Sequence, residues 1–89
     1  MQGYFYILYS QEAGRYYLGH TTEPLEERLR KHNSNHKGFT GKHHDWQLVY
    51  WEKYETKNDA YRRELQVKNW KSSKRLKELI ERASEHPDS

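Results

Sequence analysis

Arg28 and His32 are the first pair of residues whose types and spacing could do chemistry. They stand four positions apart, so that on a helix their side chains emerge from one face. Leu25 and Leu29 flank that face and turn it towards the interior. A sheltered guanidinium needs an anion, and phosphate suits its planar fork. Because histidine carries protons near neutral pH, the pair is suited to phosphate chemistry.

Glu64 is the carboxylate that could complete such a site. It falls in the middle of a predicted helix, beside an apolar stripe, where a carboxylate is half-sheltered from water. One carboxylate, completed by waters and a substrate phosphate, can hold Mg²⁺ or Mn²⁺. The structural alternatives are an ion pair between Glu64 and Lys68, or a pairing of Arg28 with Glu64 or Glu52 while His32 is hydrogen-bonded in the core.

Two tyrosines belong to a predicted hairpin that precedes this helix. Alternation puts Tyr4, Tyr6 and Leu8 on one face of the first strand, and Tyr17 and Gly19 on one face of the second. An in-register hairpin brings the rings of Tyr6 and Tyr17 side by side. The missing side chain of Gly19 leaves room for a backbone or a phosphate. The alternative is that these tyrosines are only core rings.

The elements that position these side chains follow the order ββαβαα. Residue patterns predict strands over Tyr4–Ser10, Tyr16–Thr21 and Gln47–Tyr54. Helices are predicted over about residues 24–33, from a cap at Thr56 to about Trp70, and from a cap at Ser72 or Ser73 onwards. Strands joined by a tight hairpin cannot all be parallel. We therefore expect an α/β fold of the α+β type, with a three-stranded, mainly antiparallel sheet flanked by helices.

Three finer expectations concern the helices and the connection between them. Thr22 or Glu23 is predicted to cap the first helix, and Ser34–Asp45 is predicted to be a loop. The second helix is expected to share one face among Ala60, Tyr61, Leu65 and Lys68.

Composition predicts a single domain over residues 1–83, followed by a flexible tail over residues 84–89. The chain has 89 residues, which leaves room for one core. Only 33% of these residues are hydrophobic but 15% are aromatic, so we expect a thin core of rings. The absence of cysteine excludes disulfides and thiolate metal sites and fits a reducing compartment. With no apolar stretch long enough to span a bilayer, the chain is predicted to be cytoplasmic.

Charge is distributed unevenly along the chain, although the net charge of +3 is too small to identify a partner. Residues 28–44 are rich in Lys, Arg and His and contain no acid. Such a segment faces phosphates or is a solvated loop, and charge alone does not decide between the two. The candidate nucleic-acid contacts in this segment are Arg30, Lys31, Lys37 and Lys42. Zinc is not predicted, because His36, His43 and His44 lack thiolate companions and helical spacing.

The residues described above and several further segments follow one another along the chain in a characteristic order and spacing. Phe5-Tyr6-Ile7 and Tyr17-Leu18-Gly19 lie on the hairpin strands, Arg28 and His32 on the next helix, and Glu64 after a third strand. The supporting segments are Leu29–Asn33, Trp46–Tyr50 and Ala60–Trp70. This layout resembles the GIY-YIG nuclease superfamily, in particular its small stand-alone bacterial members, over nearly the whole chain.

The resemblance has departures from the family pattern. Phe5 and Leu18 replace isoleucines of the two tripeptides, and Tyr4 stands where glycine is expected. These apolar replacements leave the chemistry intact. Some members also carry an asparagine downstream of the glutamate; Asn69 is close to Glu64 but is not assigned to that role.

The resemblance implies a metal-dependent endonuclease that hydrolyses DNA phosphodiester bonds, with a role in DNA repair or in processing branched DNA. RNA is not excluded as a substrate. The implied catalytic residues are Tyr6, Tyr17, Arg28, His32 and Glu64. Glu64 binds Mg²⁺ or Mn²⁺, and His20 stands where members often carry a basic or polar nucleic-acid contact. Tyr6, with Tyr17 or His32, positions or deprotonates the water, which requires a nearby cation, either Arg28 or the metal, to lower the tyrosine pKa.

Two other functions stay open at this point. The chain could be a nucleic-acid-binding module that keeps the nuclease fold but cuts weakly or only with a protein partner that supplies specificity. It could also be an unrelated interaction domain of the same ββαβαα order. The sequence does not decide between a monomer and a homodimer.

Overall fold

The central strand of the sheet is the first one in the chain. The computed structural model describes residues 2–34 and 39–85, and it places β1 (Gly3–Ser10) between β2 (Arg15–Thr21) and β3 (Gln47–Tyr54). Both neighbours run antiparallel to β1, which confirms the predicted three-stranded antiparallel sheet. The turn between β1 and β2 contains Gly14, whose φ of 64° suits glycine.

Three α-helices in the described part of the chain cover the sheet. They are α1 (Leu25–His32), α2 (Lys57–Lys68) and α3 (Ser73–Glu85), so the predicted order ββαβαα is confirmed. A short 3₁₀ helix over Phe39–Lys42 lies within the segment that is predicted to be a loop throughout. In the part of the chain that is described, no helix has the length and apolarity needed to cross a membrane.

The core consists of two layers separated by β1. On one face of the sheet, Tyr6 and Leu8 pack with Trp46 beneath the leucines of α1. On the other face, Phe5 and Ile7 pack against α2 and α3. Rings fill much of both layers, as the composition predicts. Because successive residues of β1 alternate between the layers, this one strand serves both.

A β-bulge in β3 explains the mixed polarity of that strand. Ile7 pairs with Tyr50 and Leu8 pairs with Leu48, so that Val49 is the extra residue. Leu48 therefore packs in the layer under α1, while Val49 and Tyr50 both pack in the layer under α2 and α3. Simple alternation along β3 does not predict this change of face.

Helix capping agrees with the prediction at two of the three helices. The Thr56 hydroxyl accepts the Asp59 backbone N–H at 3.1 Å at the start of α2, and the Ser72 hydroxyl accepts that of Arg75 at 3.2 Å before α3. The predicted cap of α1 is wrong. Its N-cap residue is Pro24, without a side-chain cap.

The predicted face of α2 is right for Ala60 and wrong for Tyr61 and Leu65. The buried residues are Ala60, Glu64 and Val67, whereas the side chains of Tyr61 and Leu65 are both 42% exposed. The prediction assumes an apolar stripe, but the stripe that faces the sheet contains a carboxylate. Lys68, which the sequence suggests as a partner, and His20, which it does not, both contact this buried carboxylate.

The ends of the last two helices differ slightly from the prediction. α2 ends at Lys68 rather than near Trp70, and α3 continues through Ser84 and Glu85, which the composition assigns to the flexible tail. The rest of that predicted tail, residues 86–89, lies outside the described part of the chain.

Candidate active site

Tyr6 lies at the centre of a hydrogen-bonded group that we call the tyrosine cluster (Tyr6, Arg28 and His32). Its hydroxyl oxygen is 2.7 Å from Nε2 of His32 and accepts a hydrogen bond from Nε of Arg28 at 3.2 Å. Arginine can only donate. A protonated Tyr6 therefore completes the chain by donating its own hydrogen to His32, which leaves Nε2 of that ring as the acceptor.

Burial controls the ionisation of Tyr6. The side chain is 1% exposed, and burial raises its pKa from 10.0 to about 12, while the hydrogen bond and charge of Arg28 act in the opposite direction with smaller effect. The expectation that Arg28 makes the tyrosine a base near neutral pH is therefore wrong for the protein alone. Tyr6 is protonated, and its hydrogen bond to Arg28 raises the pKa of the guanidinium, which stays charged.

Gly19 makes room for the Tyr6 ring. The two residues are partners across the β1–β2 pair, and a Cβ at Gly19 would lie 2.6 Å from the Tyr6 hydroxyl and 2.7 Å from its Cζ. The space predicted at this glycine is therefore used by a ring rather than by a backbone or a phosphate.

Tyr17 lies on the same face of the sheet, and the predicted neighbourhood of the two tyrosines is found. Its ring centroid is 6.5 Å from that of Tyr6 and 4.8 Å from that of His32. Tyr17 also meets Trp46 edge-on at 6.4 Å. Both tyrosines are thus core rings and neighbours of His32 at once, so the two sequence-based interpretations are compatible.

Asn33 fixes the end of α1 that carries His32. Its side-chain amide donates to the Trp46 carbonyl at 3.0 Å, and its side-chain oxygen accepts the Trp46 backbone N–H at 2.8 Å. This two-way contact ties α1 to the residue before β3 and holds the buried Trp46 ring beneath Tyr17. Sequence reasoning missed this role, although an asparagine directly after a helix was the available signal.

Glu64 reaches the site from the other side of the sheet, on α2. Its side chain is 8% exposed, with Oε1 2.7 Å from Nδ1 of His20 and Oε2 2.6 Å from Nζ of Lys68. The charge of Glu64 also contributes to raising the pKa of Tyr6. The carboxylate and the Tyr6 hydroxyl are therefore within electrostatic range, and His20 of the edge strand β2 contacts the carboxylate.

The donor set at Glu64 fits a hard divalent cation held by one protein carboxylate. The ammonium of Lys68 already lies beside Oε2, so this oxygen accommodates a cation. The Lys68 side chain is 51% exposed, so it can swing away into solvent. Among residues 2–34 and 39–85, no group of three or more His, Cys, Asp or Glu side chains gathers to hold a metal. Mg²⁺ is compatible with such a site because it retains several waters and phosphate ligands.

These contacts decide between the ion-pair partners that the sequence suggests for Glu64 and for Arg28. The predicted ion pair between Glu64 and Lys68 is present. Glu52 is the partner of Arg63 at 3.0 Å and accepts hydrogen bonds from Tyr50 and Tyr54. Arg28 is paired with neither Glu64 nor Glu52.

Asn69, the unassigned asparagine, is the exposed C-cap residue of α2. At 100° per residue it lies about 140° around the helix axis from Glu64. The structure does not bring it to the site.

The candidate nucleic-acid contacts are dispersed. His20 is part of the site through Glu64. Arg30 and Lys31 are exposed on α1 and form ion pairs with Glu27 and Glu23. The exposed Lys42 ends the 3₁₀ helix, and Lys37 lies outside the described residues.

The two described histidines among those considered for zinc have different partners. His43 pairs with Glu12 at 3.0 Å, and His44 contacts the Gly41 carbonyl at 3.3 Å. His36 lies outside the described residues. The acids that balance part of the basic 28–44 segment are Glu27 of α1, Glu23 two residues before that helix, and Glu12 of the β1–β2 turn.

An open hollow of about 330 Å³ lies beside the tyrosine cluster. It is lined by Arg28, Lys31, His32 and Ser34. The Arg28 side chain is 34% exposed, so the guanidinium that Tyr6 holds also reaches solvent. This hollow combines two cations and a histidine, which is a setting that suits an anion.

The comparison with known proteins identifies the class. Residues 2–77 match the GIY-YIG catalytic domain family, and the chain belongs to that family, as the resemblance implies. Its fold is therefore a nuclease fold, of a family whose members generally act on DNA with divalent metals.

Within this family, the chain is similar to small UPF0213 proteins, which are stand-alone domains of the same type. A UPF0213 protein of Staphylococcus saprophyticus is 34% identical over 79 residues, which covers 88% of this chain and 94% of the relative. A UPF0213 protein of Staphylococcus aureus is 31% identical over 83 residues, or 92% and 100% of the two chains. The solution NMR structure of a UPF0213 protein from Bacillus halodurans matches with a TM-score of 0.57 and 27% identity, over 91% of this chain and 84% of that one.

Proposed function

We propose that this protein is an endonuclease that hydrolyses DNA phosphodiester bonds with Mg²⁺ or Mn²⁺. The observation that carries the proposal is the meeting of two unlike groups at β2. A buried carboxylate, Glu64, lies within electrostatic range of Tyr6, which holds the cationic Arg28 and the neighbouring His32. A carboxylate for a metal and a guanidinium for a phosphate are what phosphodiester cleavage needs in one place.

Arg28 binds and polarises the phosphate in this proposal. Tyr6 holds its Nε, and the exposed part of the side chain lines the hollow beside His32. The guanidinium stabilises the negative charge that develops on the phosphate oxygens. Lys31, on the same side of α1, adds a positive charge that draws the DNA backbone in.

Glu64 is the metal ligand in this proposal. Its hydrogen bond with His20 orients the carboxylate. When a metal ion binds, the exposed Lys68 either moves away from Oε2 or shares this oxygen with the metal. When bound there, a divalent ion would lower the pKa of a water and neutralise phosphate charge. The chain contributes the orientation of the carboxylate and a buried setting in which electrostatic interactions are strong.

Tyr6 and His32 act together on the proton of the attacking water. A free phenolate is unfavourable in this buried position, since burial raises the pKa of Tyr6 to about 12. Nε2 of His32 is 2.7 Å from the hydroxyl, so Tyr6 can pass its proton to His32 as it receives another. Tyr17 keeps the His32 ring in place by packing against it.

The contacts proposed here fit branched or damaged DNA as the substrate. The protein would then have a role in DNA repair. Arg30, Lys31 and Lys42 are exposed and suited to phosphates, which fix position without reporting base sequence. A surface of this kind selects the shape of the nucleic acid.

A second candidate function is a DNA-binding module that cuts weakly or only with a protein partner. The observation that favours it is the state of Glu64, whose two oxygens are already paired with His20 and Lys68. A metal must compete with these partners.

Cleavage of a panel of substrates tests the proposal. Purified protein is incubated with linear, nicked and branched DNA and with RNA, with Mg²⁺ or Mn²⁺ and with a chelator. We expect metal-dependent cutting of DNA that is lost in Glu64→Gln and kept in Glu78→Gln, an exposed carboxylate on α3. Equal cutting by Glu64→Gln would contradict the proposal, and salt-sensitive DNA binding without turnover under either metal would establish the binding module instead.

A further inference from the structure

A second hollow lies beside His20, the residue that contacts Glu64. It measures about 400 Å³, opens to solvent, and is lined by His20, Lys57, Asn58 and Tyr61. His20 connects it to the candidate metal ligand, because its Nδ1 is 2.7 Å from Glu64 Oε1. None of the other three residues takes part in the chemistry proposed above.

Tyr61 is the feature of this hollow that calls for a ligand. Its side chain is 42% exposed, and its ring centroid is 4.9 Å from that of His20, with the planes tilted by 51°. An exposed tyrosine alone is ordinary. Here, however, the ring lines one hollow together with Lys57, Asn58 and His20, and His20 contacts Glu64.

The arrangement along α2 aligns this ring with the candidate metal ligand. At 100° per residue, Lys57 and Lys68 lie within about 40° of Glu64 around the helix axis, and Tyr61 lies about 60° away. Another open hollow is lined among others by Tyr16, Lys68 and Lys71. One contact of the carboxylate, His20, lines the hollow that contains Tyr61, and the other, Lys68, lines this further hollow.

We infer that His20, Lys57, Asn58 and Tyr61 form a subsite for an unpaired nucleotide next to the phosphate that is cut. The base stacks on the Tyr61 ring, the Asn58 amide contacts the base edge, and Lys57 contacts a backbone phosphate. Inside a duplex both faces of a base are covered by its neighbours, whereas an unpaired base offers a free face on which an aromatic side chain can stack. The identity of the ligand as nucleic acid rests on the proposed function.

Binding of a short single-stranded DNA oligonucleotide in the presence of a chelator tests this subsite without any cleavage. Fluorescence anisotropy is measured for the wild type, Tyr61→Ala and Tyr61→Trp. Removing the ring is expected to weaken binding about tenfold, and tryptophan is expected to restore it, because stacking requires only an aromatic face. Binding of fully paired DNA should change far less.

The matched control is Leu65→Ala. Leu65 lies one turn after Tyr61 and has the same exposed fraction, 42%, but it has no aromatic face. Its replacement should leave oligonucleotide binding as in the wild type. Equal losses in Leu65→Ala and Tyr61→Ala would overturn the stacking subsite, as would unchanged binding by Tyr61→Ala. A change of oligomeric state in Tyr61→Ala, with unchanged oligonucleotide binding, would assign the ring to a contact between copies of the chain and overturn it as well.

The two proposals fail in different ways. If the wild type binds the oligonucleotide through Tyr61 but cuts no DNA with either metal, the subsite stands and the nuclease proposal falls. If the wild type cuts DNA through Glu64 while Tyr61→Ala binds and cuts like the wild type, the subsite falls and the nuclease proposal stands.

Discussion

At the scale of single residues, Tyr6 couples groups that would otherwise act separately. Its hydroxyl accepts from Arg28 and reaches His32, and its ionisation responds to Glu64. The buried phenol is therefore a positioning group that keeps a guanidinium and an imidazole in fixed relation. The spacing of four residues between Arg28 and His32 predicts their shared face, but it does not predict that a tyrosine links them.

Replacing Arg28 tests the phosphate contact. Arg28→Lys keeps the positive charge but loses the planar fork and the Nε donor to Tyr6. We expect the single-turnover rate of DNA cleavage to fall roughly 100-fold, with thermal unfolding nearly unchanged. Arg82→Lys, at an exposed position of α3, should cut like the wild type. Wild-type cutting by Arg28→Lys would remove Arg28 from the active site.

Removing the Tyr6 hydroxyl tests the hydrogen-bonded chain. Tyr6→Phe keeps the ring against Gly19 but leaves the buried Nε2 of His32 without this partner. The free energy of unfolding should fall by about 1–3 kcal/mol, and cleavage should fall as well.

The comparison is Tyr9→Phe, a partly buried ring of the same strand that packs on Tyr16. Both quantities are measured by urea denaturation and by the cleavage assay. If Tyr6→Phe is no more affected than Tyr9→Phe, the hydroxyl has no special role.

Prediction from sequence succeeds for residues whose spacing fixes their position, and fails where partners come from elsewhere. Tyr6, Tyr17, Arg28 and His32 are predicted together and lie together, since helical and strand periodicity place them. The contact between His20 and Glu64 joins β2 to α2 across 44 positions of sequence. No local pattern predicts such a contact, nor that burial outweighs Arg28 in setting the pKa of Tyr6.

At the scale of elements, β2 is the strand beside which α1 and α2 place their functional groups. Gly19 is the position where the Tyr6 ring lies against this strand. Hairpin alternation predicts that Tyr17 and Gly19 share the face of Tyr6, and hydrophobic spacing predicts the helices. The bulge at Val49 and the buried Glu64 of α2 depend on packing between elements, so the sequence pattern predicts neither.

Adding a methyl group at Gly19 tests the fit between β2 and Tyr6. In Gly19→Ala the new Cβ meets the Tyr6 hydroxyl at 2.6 Å and its Cζ at 2.7 Å, and this ring is buried and cannot move aside freely. We expect a loss of about 1–3 kcal/mol in the free energy of unfolding, together with a loss of cleavage.

The control for this change is Gly14→Asn. Gly14 has a positive φ, and a Cβ added there would meet no atom within 4 Å; asparagine also tolerates that backbone conformation. Chemical denaturation should show little change for this variant. A Gly19→Ala protein as stable as Gly14→Asn would contradict the close packing described here.

At the scale of the whole molecule, both layers of the core contain tyrosine hydroxyl groups. Tyr6 lies under α1, while Tyr50 and Tyr54 donate to Glu52 on the opposite face. Burial raises the pKa of all three, to about 12 for Tyr6 and for Tyr54. A thin core of rings, which the composition predicts, thus carries titratable groups that resist ionisation.

This property predicts alkaline destabilisation. An unfolded tyrosine loses its proton near pH 10, whereas the folded protein retains these protons to higher pH. Stability is therefore fully present below pH 10 and is lost as the pH rises through 12. For Tyr6 the shift from 10.0 to about 12 corresponds to about 3 kcal/mol.

Unfolding by urea, measured between pH 9 and pH 12, checks this prediction. The free energy of unfolding should fall over this range, and Tyr54→Phe should fall less steeply because one of the shifted groups is gone. Identical slopes for the wild type and Tyr54→Phe would mean that Tyr54 ionises alike in the folded and unfolded protein.

The central claim is that Glu64 and the tyrosine cluster form a single metal-dependent site around β2. Paramagnetic broadening of backbone amide signals by Mn²⁺, followed by NMR, tests it most directly. We predict that the signals of Gly19, His20 and Glu64 broaden first, that Arg28 follows, and that signals of α3 persist. Glu64→Gln should abolish this pattern. Broadening centred on other carboxylates, such as Glu12 and Asp45, or an unchanged pattern in Glu64→Gln, would contradict the claim.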